Sequence, residues 1–147
     1  MNFRPEPDNP LHQYLEFMNR DEMLGFMRRH RGIEEIIRSD AQAACYSAGH
    51  FLSVHDDAAN YQPRRLAYVF GFTKGWQPDW GGYLQFFDQA GDIKAGLLPK
   101  FNVLNVFAVP QYHAVSPVSP AAPAARYSIT GWFLDGPDPG PAAGDSS

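Results

Sequence analysis

A single cysteine, Cys45, stands in the 147 residues. An internal disulfide is therefore excluded, and the solitary thiol fits a reducing compartment. Beside the apolar run at Ala44 it is expected to be a small buried hydrophobe rather than a reactive nucleophile. Also missing is any apolar run near the length of about 18 residues that a membrane-crossing helix needs, and the start M-N-F-R-P-E-P-D lacks the apolar core of a secretory leader. The expectation is a soluble, cytoplasmic protein with no membrane partner. Excess positive charge is lacking too. A formal charge of −4 and a pI near 5.6 give no general electrostatic reason to bind nucleic acid, and the cluster Arg28, Arg29 and Arg31 reads as a solvated helix end. No internal repeat is visible.

What the chain does have is aromatic side chains, 11 Phe, 7 Tyr and 3 Trp, together with 13 Gly and 13 Pro. That composition suits a β-rich domain with many turns, and the length suits one domain. From Asn9, a plausible N-cap followed by Pro10, Leu11, Tyr14, Leu15 and Met18 recur at helical spacing. Asn19 followed by Glu22 resembles a capping box for a second helix, whose stripe of Met23, Leu24, Phe26 and Met27 is expected to pack on a sheet. Ile33, Ile36 and Ile37 suggest a further helical turn or two. Beyond Ala41 the pattern changes to short apolar runs broken by Gly, Pro, Asn and Asp. Eight strands are predicted, over 42–47, 50–55, 64–72, 82–88, 92–97, 103–109, 113–118 and 125–134. The fold class that follows is mainly β with N-terminal helices, a double-stranded β-helix or jelly roll. Its expected parts are an N-terminal helical layer over 1–40, possibly incomplete, a core over 41–135, and a disordered Pro/Gly/Ala-rich tail over 136–147. The run Ser116 to Ala125 is expected to be an exposed loop, since successive prolines cannot donate to a ladder.

Two stretches carry chemistry. In A-C-Y-S-A-G-H-F-L-S-V-H-D-D, His55 and Asp57 lie two apart, so an extended backbone would put imidazole and carboxylate on one face. A distant His113, in V-P-Q-Y-H-A-V, can supply a third ligand. Two imidazoles and one carboxylate on one side of a metal leave the other side open, the ligand set of non-haem Fe(II) oxygenases. Asp56 is expected to point the other way, and His12, His30 and His50 to be surface or structural histidines. In A-R-Y-S-I-T-G-W-F-L, alternation puts Arg126, Ser128, Thr130 and Trp132 on one face. A guanidinium pointing into a barrel needs an anion to pair with.

With G-W-Q-P-D-W-G-G-Y-L-Q-F-F and P-K-F-N-V-L-N-V-F between them, these runs resemble, in order, the 2-oxoglutarate and Fe(II)-dependent dioxygenases of the prolyl-4-hydroxylase type. The resemblance implies a double-stranded β-helix, His55, Asp57 and His113 as metal ligands and catalytic centre, and Arg126 as the partner of the distal carboxylate of 2-oxoglutarate. It implies that Tyr46 helps hold that carboxylate. Ser128, two after the arginine, is a further hydrogen-bonding candidate, and Trp132 a wall. The implied cofactors are Fe(II), 2-oxoglutarate as cosubstrate and O2, with ascorbate possible. Some relatives carry a second cosubstrate tyrosine at about Gly71, and Tyr68 is out of phase with it. About 40 residues precede the matching region, fewer than the family generally has.

The activity so implied is hydroxylation of an unactivated C–H bond, with a prolyl residue of a peptide or protein as first candidate substrate. A small-molecule hydroxylase of the same superfamily shares the iron and cosubstrate residues. A non-catalytic jelly-roll binding module, or a cupin-type metalloenzyme indifferent to Arg126→Ala, are the alternatives from other classes. Substrate choice is expected to lie in segments 57–64 and 74–81.

Overall fold

A computed structural model describes residues 8–58 and 63–137. The expected tail, from residue 138, and residues 59–62 of the first expected substrate segment lie outside them.

Two helices come first. Helix α1 (Pro10–Met18) starts as its sequence dictates: the Asn9 side-chain oxygen accepts from the Leu11 N–H at 2.9 Å, and Pro10 fills the position where no N–H is needed. Helix α2 (Asp21–Arg31) has acids in its first turn and Arg28, Arg29, His30 and Arg31 in its last, the charge order its dipole favours. The Asn19 capping box does not form. Arg20 occupies the N-cap of α2 without a side-chain cap. Asn19 instead grips Ser39: its amide donates to the Ser39 carbonyl at 2.8 Å and its oxygen accepts from the Ser39 N–H at 2.8 Å. An asparagine able to pair with both groups of a facing backbone gains two bonds there, against one as a cap.

The expected helical turn over Ile33–Ile37 is also absent. Gly32, at φ 65°, ends α2 in the left-handed conformation. The chain then turns so that Ile36 is fully buried and enters a two-residue strand, β1 (Arg38–Ser39), that the periodicity did not announce.

The eight expected strands are all present, with shorter ends: β2 (Gln42–Tyr46), β3 (Leu52–His55), β4 (Arg64–Gly71), β5 (Leu84–Phe87), β6 (Ile93–Leu97), β7 (Leu104–Ala108), β8 (His113–Val115) and β9 (Arg126–Leu134). They form two antiparallel sheets. One has the order β1-β9-β4-β7 with β2 also on β9, and the other the order β3-β8-β5-β6. Met18, Leu24 and Met27 from the helices pack with Ile36, Leu66, Tyr68 and Phe133 on the outer side of the first sheet. The methionine stripe is thus core, and each such side chain contributes about 1.5–3 kcal/mol by leaving water. The opposite face of that sheet looks across a cavity at the second.

Two further expectations are corrected. Cys45 is exposed, because β2 pairs only with β9 and its outward residues, like Tyr127 opposite, have no layer over them. The proline-rich loop is mostly exposed but is stitched down at Val118, which is 1% exposed. Its N–H donates to His50 O at 3.0 Å and its carbonyl accepts from Gly49 N at 2.8 Å. Between Pro117 and Pro120 the N–H groups of Val118 and Ser119 are free to donate, and both do.

Candidate active site

The antiparallel register of β3 and β8 sets His55 directly opposite His113. Residues so paired share one face, and the ring centroids are 4.1 Å apart. Phe107 packs edge-on against His113 at 4.7 Å, and Phe86 against Phe107 at 4.9 Å, which fixes the ring. Asp57 joins them by a route other than strand alternation. β3 ends at His55, and Asp57 has φ 61°, a left-handed conformation. Its two carboxylate oxygens then divide between the rings, Oδ1 at 3.1 Å from His55 Nε2 and Oδ2 at 3.2 Å from His113 Nε2. Asp56 turns away, as expected, and caps the Ala58 N–H at 3.0 Å.

The donor set fits a metal. Both imidazoles place Nδ1 against a backbone carbonyl, His55 on Ser53 O at 2.8 Å and His113 on Gln111 O at 2.7 Å. A carbonyl can only accept, so these contacts assign the proton to Nδ1 and leave the Nε2 lone pairs facing the carboxylate. Lone pairs and a carboxylate repel unless a cation lies between them. The three ligand atoms lie within 4.8 Å of one another, and metal bonds of about 2.1 Å at right angles would set neighbouring ligand atoms roughly 3 Å apart. Burial pushes the Asp57 carboxyl up, but where the metal-free imidazoles carry a second proton the bond and charge of His113, the nearby Trp132 indole N–H and the charge of His55 outweigh it, and the net shift is downward, the direction in which a bound cation would also act. The Trp132 indole N–H faces that carboxylate without completing hydrogen-bond geometry.

At the other end of the same cavity, of about 320 Å³, lies Arg126. It is 3% exposed, its Nε has no partner, and no carboxylate lies within ion-pair distance among the described residues. Its Nη1 donates to Ser128 Oγ at 3.2 Å. Tyr46, its cross-strand partner, holds its ring 5.4 Å from the guanidinium. Burial lowers the Arg126 pKa, and Tyr46 offsets part of that. Tyr46 lines the cavity; Ser128 sits behind the guanidinium in a small recess shared with Val69 and Asn105. Tyr68 spends its hydroxyl on the Asp40 carbonyl at 2.6 Å, and at Gly71 a side chain would collide with the Lys100 backbone.

Trp132 and Thr130 wall the cavity as the alternation of β9 required. Trp76 is buried and donates to Gly81 O at 2.8 Å, with Trp80 edge-on at 5.3 Å. His50 is structural, its Nδ1 accepting from Ser47 N at 3.2 Å. Sequence reasoning missed Gly82, whose missing side chain leaves room for the Arg126 stem at 3.0 Å from where a Cβ would sit. It also missed Arg64, stacked 3.6 Å over the Trp132 ring. The adjacent arginines offered one signal: Arg65 turns out to bond Asp135 at 3.0 Å, so on a strand its neighbour must face in.

Two antiparallel sheets around a cavity with a His-Asp-His cluster at one end define a double-stranded β-helix with a facial metal triad. Residues 41–134 match the 2OG-Fe(II) oxygenase superfamily, and the chain belongs to it. It is 34% identical to the mouse (Mus musculus) protein named prolyl 3-hydroxylase OGFOD1 over 101 residues, 64% of this chain and 18% of that protein. It thus spans under a fifth of the curated relative's length. Among solved structures it is similar to a Pseudomonas putida prolyl-4-hydroxylase (TM-score 0.72, 27% identity, 90% of this chain and 70% of that one). It is also similar to a Trichoplax adhaerens prolyl hydroxylase in complex with a peptide fragment of a hypoxia inducible factor (TM-score 0.68, 25% identity, 84% of this chain and 56% of that one). No helix among the described residues is long and apolar enough to cross a membrane.

Proposed function

We propose that the protein is a 2-oxoglutarate- and Fe(II)-dependent oxygenase that hydroxylates a prolyl residue of a peptide or protein. The observation that carries the activity is the pairing, in one cavity, of a three-ligand cluster with a buried arginine that has no anion of its own among the described residues. Bound Fe(II), with O2 and the cosubstrate, supplies the oxidising power for inserting a hydroxyl into a C–H bond. In this reading His55, Asp57 and His113 hold the metal from one side and leave the other side to cosubstrate and O2. The Ser53 and Gln111 carbonyls keep each Nε2 free to ligate by holding the proton on Nδ1.

Arg126 receives the distal carboxylate of 2-oxoglutarate, with the Tyr46 ring and Ser128 hydroxyl fixing the guanidinium plane. Ala67, Val69, Leu84, Phe107 and Val115 line the space between the two ends. An apolar wall there excludes water and keeps the carboxylate–guanidinium pair strong. The prolyl substrate rests on the names of the relatives, two of which are prolyl hydroxylases at 25–27% identity over most of this chain.

The test is an anaerobic titration with Fe(II) and 2-oxoglutarate, following the weak visible charge-transfer band of the chelate. Wild type is expected to show it, and His113→Ala and Arg126→Ala to lose or weaken it. A folded wild type without the band overturns the activity. Succinate release stimulated by proline-containing peptides, and not by the same peptides with alanine for proline, tests the substrate.

A further inference from the structure

Asp57 is one of two non-glycine residues with positive φ among the described residues. L-residues seldom adopt that conformation, although aspartate and asparagine resist it least. The site needs it. An extended continuation of β3 would carry residue 57 roughly 6.8 Å along the strand from His55, past His113, which stands directly opposite His55. The left-handed bend instead folds the carboxylate back between both rings.

From Arg64, Trp132 and Asp57, we infer that Arg64 is a positioning residue which, stacked on Trp132, braces the bent Asp57 backbone and so sets the third metal ligand. The inference rests on the metal reading above. Arg64 Nη1 donates to the Asp57 main-chain carbonyl at 3.2 Å. The guanidinium carbon sits over the Trp132 indole, 3.6 Å from its centroid. The Trp132 backbone that carries the ring is itself pinned, its main-chain N–H donating to the Asp40 carboxylate at 2.7 Å. The bracing group holds the backbone of residue 57 and not its carboxylate: among the described residues no acid lies within ion-pair distance of Arg64. Both Asp57 oxygens therefore stay directed at the histidines. A lysine in place of the arginine would lack the planar fork that stacks and donates together.

The sign of one measurement separates a brace from a mere charge. Removing a cation from the neighbourhood of a divalent metal should tighten metal binding by simple electrostatics; removing a brace should weaken it. Co(II) binding to the metal-free protein, read from its visible absorption, is compared across variants, with metal-free melting recorded for each. Arg64→Ala is expected to weaken Co(II) binding about tenfold or more. Arg64→Lys, which keeps the charge and serves if Arg64→Ala does not fold, is expected to weaken it comparably; Trp132→Leu, which removes the stacking platform together with the indole N–H that faces Asp57, is expected to weaken it at least as much. In an Asp57→Ala background, Arg64→Ala should cause no further loss. Unchanged or tighter binding by Arg64→Ala overturns the brace, as does an equal loss in the Asp57→Ala background. If wild type binds Co(II) and His113→Ala does not, such a result falls on the brace alone; a wild type that binds none removes the metal reading with it.

Discussion

The two ends of the cavity face opposite electrostatic problems. At one end His55, Asp57 and His113 crowd their ligand atoms within 4.8 Å, both Nδ1 atoms satisfied and both Nε2 atoms facing the Asp57 carboxylate. At the other, Arg126 stands nearly alone, with one neutral hydroxyl at 3.2 Å, an aromatic ring, and a buried Nε with no partner. Among the described residues the protein's own groups supply acceptors but no cation at the first end, and a cation but no anion at the second. Each is costly when empty, and each cost is recovered only by its ligand. The energy that folding leaves unspent at both ends is available for binding, as expected where a site rather than stability has shaped the residues.

The sharpest way to break the first end is to remove a ligand. His113→Ala is expected to lower metal affinity by at least about a hundredfold and to abolish 2-oxoglutarate turnover with it. Equilibrium metal titration beside succinate release checks this, and a variant that keeps either one intact contradicts the cluster's role.

At the second end the expected outcome splits in two. Arg126→Met replaces an unpaired buried cation by an apolar chain of similar reach. The cosubstrate-free fold should gain about 1–4 kcal/mol, while the thermal upshift that 2-oxoglutarate gives wild type disappears. Urea unfolding with and without 2-oxoglutarate measures both. A variant less stable than wild type would mean that the guanidinium is already well solvated or paired, and the contrast between the ends would collapse.

How far these two ends could be read from the chain follows from what fixes each. Alternation along β9 placed Arg126, Ser128 and Trp132 correctly, because period 2 is a local property. The same reasoning brought His55 and Asp57 together for the wrong reason: the strand stops at His55, and a left-handed residue makes the convergence. No local pattern encodes that bend, since aspartate is common in ordinary turns. The placement of His113 depended on the β3–β8 register, a long-range fact that no local pattern carries: the chain offered His113 as a candidate third ligand, and the resemblance implied its role. The strands were legible because Gly, Pro and Asp punctuate them. Strand β1 was not, since two residues carry no periodicity and it forms only because Asn19 and β9 offer its backbone partners. Cys45 went wrong because apolar composition does not say whether a strand lies inside a sheet or at its margin.

Acid offers a smaller test of the metal end. In acid, with the metal-free imidazoles protonated, the Asp57 carboxyl is held below its ordinary value, so the stability its charge contributes there is present above the unfolded pKa of about 3.9 and is lost as pH falls through the lower folded value. The stability difference between metal-free wild type and Asp57→Asn should therefore shrink only below about pH 4. Chelator-treated samples unfolded in urea from neutral to acid pH would show it. A difference that vanishes well above that pH would mean that the carboxyl is not held down.

The smallest effect is expected at Asp40, which stands between the two cases. Like Arg126 it is a charge drawn away from water, though only partly buried, and like the triad it is bonded, accepting the Trp132 main-chain N–H at 2.7 Å. Burial raises its pKa, and the Trp132 bond with the charges of Arg38 and Arg64 offsets only part of this. A carboxyl whose folded pKa is raised costs stability wherever it is ionised in the folded state, and the cost vanishes once pH falls below the unfolded value. Asp40→Asn keeps an oxygen for the Trp132 N–H and removes the charge. It should match or exceed wild type at pH 7 by under about 1 kcal/mol, and the two should converge near pH 4 as the wild-type carboxyl protonates. Urea unfolding at the two pH values decides it. A loss at pH 7 larger than about 1 kcal/mol would show that the Asp40 charge, through Arg64, is itself part of what holds Trp132 and the metal end in place.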